Sequence, residues 1–212
     1  MGLVKRQPNA SENAEPASSG RPGRKRSEQS RLAILSAALE LLAEVGYAAL
    51  TIEGIAARSG TGKQTIYRWW QSKADVLLDA LTTKAELFIP VPDEGGYAAD
   101  LRAFLTATFR LGSQPQVADA LRALMAEAQL NAAFGERFRE VFLTHRREAL
   151  GQIIERARTR GDLSHGLSAG TITDLVFGIV WYRLLATRQP FGAELVAELV
   201  HILATPTGKD SR

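Results

Sequence analysis

Large apolar residues recur along most of this chain at spacings of three and four, and nowhere with the period of two that a half-buried strand needs. Leu32, Leu35, Leu39 and Leu42, with Ala38 and Val45 on the same side, form one face of a first helix over residues 27–45, which Gly46 is placed to end. Thr51 offers an N-cap oxygen to a short second helix carrying Ile52, Ile55 and Ala56, with Glu53 in its first turn and Gly60 at its end. A third helix runs over residues 63–70, with Ile66 and Trp70 at i and i+4 facing inward. Two short helices joined by a tight glycine-containing turn follow the helix-turn-helix plan.

Ser72 can cap a fourth helix, with Asp75 three residues on, and Val76, Leu77, Ala80, Leu81, Leu87 and Phe88 along it. Pro90, Pro92 and Gly95-Gly96 break the pattern. Further helices are expected over residues 97–112, 115–130, 134–160, 168–187 and 192–204. The fold class is therefore all-α: a small bundle of three helices at 27–72 that contains the helix-turn-helix, and a larger helical bundle at 73–206. Residues 1–26, rich in Pro, Ser, Asn, Gly and Arg, are expected to be a disordered basic arm, and 207–212 a flexible tail.

One helix is apolar nearly all round. Eleven of the 16 residues from Thr171 to Ala186 are apolar, so it is either a central core helix or one shared between its own core and a second subunit. The final helix adds a second wide apolar face. Leu175, Ile179, Tyr182, Leu195, Leu199 and Ile202 are the expected dimer contacts, in a four-helix arrangement with their symmetry mates.

Charge sharpens the picture once it is resolved along the chain. The 212 residues hold 26 Lys+Arg and 23 Asp+Glu, a formal net charge of only +3. Residues 20–73 alone hold nine basic and four acidic residues, net +5, which points to a polyanion partner for that segment. An α-helix fits the major groove and reads base edges from its N-terminal residues. Lys63 can donate to guanine, Gln64 can pair with adenine, and Tyr67 offers a phenol to base or phosphate. Thr51 and Lys73, at helix N-termini flanking the unit, are suited to phosphate. The segment from Gly20 to Arg26 carries Arg21, Arg24, Lys25 and Arg26, and its Gly-Arg-Pro resembles an AT-hook core, so it is either a minor-groove arm or a solvated tail.

Other chemistry is excluded or weak. There is no cysteine, hence no disulfide, thiolate metal site or cysteine nucleophile. Gly60-Thr61-Gly62-Lys63 is not a P-loop, since Ala57 and Gln64 stand where Gly and Ser/Thr are needed. His145, His165 and His201 lack metal-ligand spacing, so no metal or cofactor is expected. No nucleophile–base constellation supports an enzyme. The opening residues have no apolar stretch of a signal peptide, and Arg6 stands where myristoylation wants Ser or Thr. The longest apolar run, Leu175 to Tyr182, is too short to span a bilayer, so a cytoplasmic protein is expected.

Residues 27–81 resemble the DNA-binding domain of the TetR family of bacterial transcriptional repressors. The resemblance rests on the first-helix leucines, Gly46, Thr51-Ile52-Glu53-Gly54-Ile55-Ala56, Ser59-Gly60-Thr61-Gly62, Thr65-Ile66-Tyr67-Arg68 and Ser72-Lys73-Ala74-Asp75-Val76-Leu77. It implies base contacts by Lys63, Gln64 and Tyr67, and phosphate contacts by Thr51, Thr65, Tyr67, Arg68 and Lys73. Trp69 and Trp70 depart from the family's usual His-Phe, and Gln71 from a frequent Pro. The resemblance further implies a homodimer on a palindromic operator, released when a small molecule enters the C-terminal bundle. Phe104, Met125, Gln129, Phe142, His145 and Trp181 are candidate pocket residues, with Phe109 and Phe138 as further aromatics. An effector-independent architectural DNA-binding protein and, less favoured, a small all-α enzyme are the alternatives.

Overall fold

The protein is described here from a computed structural model covering residues 22–163 and 166–204, with side chains from residue 27. Ten helices and no strand occur among the described residues. They are α1 (Pro22–Ala49), α2 (Ile52–Ser59), α3 (Lys63–Tyr67), α4 (Lys73–Phe88), α5 (Tyr97–Gly112), α6 (Pro115–Leu130), α7 (Ala132–Phe138), α8 (His145–Arg160), α9 (Ala169–Tyr182) and α10 (Ala193–Ala204). Two short π-helical stretches, Arg139–Thr144 between α7 and α8 and Arg183–Thr187 after α9, extend their neighbours.

Local chemistry sets the boundaries. Helix α1 breaks at Gly46, whose φ of 74° and ψ of 168° suit glycine alone. Thr51 caps α2 by accepting from Gly54 N, and Gly60 closes it in the left-handed region at φ 66°. Ser72 caps α4 by accepting from Asp75 N while its hydroxyl donates to the Asp75 carboxylate. The N-terminus of α1 is a correction: it begins at Pro22, not at Ser27. Pro suits a first helical position, and extending a helix that is already packed needs no new nucleation, a gain that composition alone does not register. The backbone of Arg24, Lys25 and Arg26 is thus helical, whereas Arg21, His165 and the tail at 207–212 lie outside the described residues.

One contiguous core runs through both parts of the molecule. Ile34, Leu35, Ala38, Leu39 and Leu42 of α1 pack with Ile55, Ile66 and Trp70, while Leu32 and Val45, expected on the same face, are each about half exposed. Trp70 also donates its indole N–H to Asp79, which pairs with Arg31. Helix α6 packs against both α1 and α4, and α7 lies beside α6 closely enough that a Cβ on Gly135 would come within 2.7 Å of the Ala128 carbonyl oxygen. Ser27–Ala49 and Ala169–Thr187 are long and apolar enough to cross a bilayer. Each nevertheless packs one side into this core, and their flanks carry ion pairs, Arg31–Glu28 in the first and Asp174–Arg147 in the second.

Two polar ties cross from the N-terminal helices to the bundle. The Tyr47 hydroxyl donates to Glu127 of α6 at 3.0 Å. Burial first, and the neighbouring Glu127 carboxylate second, push that phenol well above its ordinary value. Arg137 of α7 donates from Nε and Nη2 to one oxygen of Asp75, at 3.1 and 2.8 Å. At the far end of the bundle Arg160 bridges Asp93, Asp100 and Asp162, joining the start of α5 to the end of α8.

Candidate nucleic-acid interface and ligand cavity

Helix α3 presents Lys63, Gln64, Tyr67 and Arg68 outward, while Ile66 is fully buried beneath them. Tyr67 is 54% exposed, unusual for a large ring with no partner group and a sign that its outer face is kept free. Thr65 is half-buried and Thr51 exposed. The Thr51 oxygen accepts the capping bond from Gly54, which leaves its hydroxyl proton free to donate. Lys63 pairs with Glu53 of α2 at 2.6 Å, and that hydrogen bond holds the Glu53 carboxyl below its ordinary value. Both partners are exposed, so the pair is weak and readily exchanged for another anion.

Lys73 carries internal bonds that its position at a helix N-terminus does not announce. Its ammonium does not stand free at the α4 N-terminus but donates to the carbonyls of Tyr47, at 2.7 Å, and Leu50, at 2.9 Å. It also lies 4.4 Å from the Tyr47 ring centroid. Carbonyls in the last turn of a helix have no intrahelical partner and need donors, and Lys73 supplies one to Tyr47 and one to Leu50.

A cavity of about 360 Å³ opens between α4, α5, α6, α8 and α9. Met125, Phe142 and Trp181 line it, together with apolar residues such as Leu81, Leu121 and Phe177. Phe142 and Trp181 belong to an aromatic ladder: Phe134 stacks on Phe138, Phe138 on Phe142, and Trp181 meets Phe138 edge-on. The other expected pocket residues are corrections. Phe104 is buried in the core away from the cavity, and Gln129 is exposed on the outer side of α6. His145 is exposed and bonds the Glu140 carbonyl. The π-helical stretch Arg139–Thr144 explains this last departure, because its wider turn shifts the register so that His145 falls outside the face on which Ala149, Leu150, Ile153 and Ile154 are buried. Two arginines, Arg146 and Arg147, line the cavity without having been singled out by the hydrophobic pattern. Arg147 pairs with Asp174 at 2.7 Å.

On α9 and α10 the expected interface divides. Leu175, Tyr182 and Ile202 are exposed, at 44%, 63% and 65%, and Leu185 joins them; Ile179 is half-buried. Leu195 and Leu199 are corrections: both are buried in the chain's own core, where α10 packs on α5. The last helix has one apolar face with two tasks, and intramolecular packing takes most of it.

Comparison with known proteins follows the same division. Residues 34–80 match the family described as bacterial regulatory proteins, tetR family, and residues 91–203 match the tetracyclin repressor-like C-terminal domain. The chain belongs to the TetR family. Among TetR-family relatives, it is 34% identical to the HTH-type transcriptional regulator YdeS of Bacillus subtilis (strain 168), over 84% of this chain and 89% of the relative. It is 27% identical to the DNA-binding transcriptional repressor TetR of Mycobacteroides abscessus, covering 85% and 97% of the two chains. The crystal structure of the TetR-family transcription regulator SCO0332 superposes with a TM-score of 0.70 at 31% identity, over 82% of this chain and 95% of that one. The protein is accordingly a DNA-binding transcriptional regulator, with a helix-turn-helix at its N-terminal end and a helical ligand-binding and dimerisation domain after it. Against the TetR-family pattern Trp70 serves as a buried core plug, and Trp69 packs half-buried and edge-on against it while Arg68 lies over its ring.

Proposed function

We propose that this TetR-family regulator is a homodimeric, cytoplasmic repressor, not an enzyme, that a small molecule releases from a palindromic operator. The observation that carries the reading is the outward polar face of α3, seated on a buried Ile66 at the end of a helix-turn-helix. In each protomer Lys63, Gln64 and Tyr67 meet base edges in the major groove. Thr51, Thr65, Tyr67 and Arg68 hold the flanking phosphates. Arg21, Arg24, Lys25 and Arg26 are the residues proposed to contact the adjacent minor groove. Leu175, Ile179, Tyr182, Leu185 and Ile202 form the stripe that meets a second copy, setting the two reading heads on successive major grooves about 34 Å apart.

The cavity favours this reading over an effector-independent architectural protein. Its wall includes Leu81 and Ala85 on α4 and Ile89 at its C-terminal cap, and the same helix, capped by Ser72, carries Lys73 and Asp75 in its first turn beside the reading head. An occupant that binds better with α4 displaced lowers operator affinity by that difference. The Arg137–Asp75 and Tyr47–Glu127 contacts tie the head to the bundle that would move it. Selection of bound sequences from a random DNA pool tests the reading. A palindrome whose enrichment is lost with Tyr67→Ala supports it; non-palindromic or sequence-independent binding refutes it.

A further inference from the structure

Two buried polar atoms on residues that line the ligand cavity have no partner among the described residues. Arg146 Nη1 and Thr108 Oγ1 are both inaccessible to solvent and make no hydrogen bond among the described residues. Both side chains line the cavity, whose remaining wall is overwhelmingly apolar. Buried polar atoms are almost always satisfied, and an orphaned guanidinium donor is the costliest kind to leave open. Burial pulls the Arg146 guanidinium below its ordinary value, the direction expected of a cation whose counter-ion is missing.

The surrounding charges narrow the partner. Arg147 and Asp174 neutralise each other at the rim, so neither leaves a net charge for a ligand. Glu86 acts on Arg146 only through space, from the exposed side of α4 and a smaller neighbouring cavity, without an ion-pair contact. Arg146, which also borders that smaller cavity with Glu86, His145 and Glu148, is therefore a cation without an ion-pair contact in the wall of a greasy chamber. A planar guanidinium matches a carboxylate in shape as well as charge. Asp174 and Glu86 stand against a second negative charge nearby.

We propose that the effector cavity is built for an organic monocarboxylate, its apolar body against Leu121, Phe142, Phe177 and Trp181 and its head group on Arg146, with the Thr108 hydroxyl as a second donor. The proposal rests on the effector reading above and adds the chemical class of the effector.

The test uses the full chain and calorimetric titration with two matched probe series. Decanoate, decan-1-ol and decylammonium sample a flexible body, all below micelle-forming concentrations. 2-Naphthoate and 2-naphthylmethanol sample a planar one. In at least one series the carboxylate binds about tenfold tighter than its neutral counterpart. Arg146→Gln abolishes that preference while leaving the affinity for the alcohol in place, and Arg146→Lys retains part of it. Thr108→Val weakens the carboxylate several-fold and leaves the alcohol unchanged. Equal binding of carboxylate and alcohol in both series, tightest binding of the ammonium, or a preference that survives Arg146→Gln overturns the proposal. If Arg146→Gln loses its helical circular dichroism, Arg146→Lys and Thr108→Val decide on the same criteria. Operator release is read separately in a mobility-shift assay. Carboxylate binding with no release refutes the regulatory reading and supports the site; release by the alcohol or ammonium alone refutes the site and supports the regulation.

Discussion

Replacing Lys73 with methionine separates two roles that the same residue could play at a helix N-terminus. In the structure its ammonium is spent inside the molecule, on the Tyr47 and Leu50 carbonyls at 2.7 and 2.9 Å and over the Tyr47 ring. A hydrogen bond to a charged group contributes about 1.5–3 kcal/mol, and an exposed cation–π contact about 0.5–1 kcal/mol. The two bonds share one half-buried ammonium, and water can reach the freed carbonyls, so the lower end applies. Lys73→Met is therefore expected to destabilise the fold by about 2–3 kcal/mol, which for a chain of this size lowers the melting temperature by about 5–10 °C. A phosphate contact predicts something else. Each phosphate neutralised adds about 0.9 to the slope of log affinity against log salt. Thermal unfolding by circular dichroism gives the first quantity, and operator titrations across a potassium chloride series give the second. The reasoning expects a clear fall in melting temperature and an unchanged salt slope. An unchanged melting temperature, or a slope lowered by about 0.9, refutes it.

Three further outcomes follow from the geometry. Tyr67→Ala removes a half-exposed ring that supports nothing, so operator affinity should fall about 10–100-fold with the melting temperature unmoved, as mobility shift and thermal scans would show. Leu175→Glu combined with Ile202→Glu places charge on the exposed stripe and should yield a folded monomer in sedimentation velocity; a persisting dimer would mean that another surface joins the protomers. Asp100 gives a pH signature. Burial would raise its carboxyl, but Arg160 at 2.8 Å and the Glu94 backbone N–H outweigh that and hold it below the ordinary value. A carboxyl lowered on folding adds stability above its unfolded value of about 3.9, and that stability disappears as pH falls through the folded value. The stability gap between the native protein and Asp100→Asn, measured by urea unfolding, should be full at neutral pH and close in acid.

The polar ties between head and bundle suggest how a ligand signal is kept local. Lys73 donates to the Tyr47 carbonyl of α1 and Asp75 accepts from Arg137 of α7, so the first turn of α4 is held by α1 and α7, while Tyr47 ties α1 in turn to Glu127 of α6. The cavity touches the same helix two and more turns further along. In the release mechanism proposed above, a helix gripped at one end and pressed nearer the other would tilt as a rigid lever and carry α3 with it.

The sequence alone determined what depends on local periodicity and local caps. Thr51, Gly60 and Ser72 act where their chemistry placed them, because a helix end must satisfy its orphan groups with residues close by. Ile66 and Trp70 are buried as their spacing required, and the outward face of α3 follows from them. Tertiary structure decided what depends on phase and on competition for partners. A π-helical turn carried His145 off the face that α8 buries, and nothing in an apolar repeat announces such a change of pitch. Leu199 and Ile202 lie on the same short apolar helix, yet only packing against α5 makes one core and leaves the other free. Lys73 reads as a surface cation until folding brings the Tyr47 and Leu50 carbonyls to it. Arg146 was invisible for the opposite reason: a charged residue among charged neighbours becomes distinctive only when folding buries it beside an apolar cavity with no ion-pair contact among the described residues.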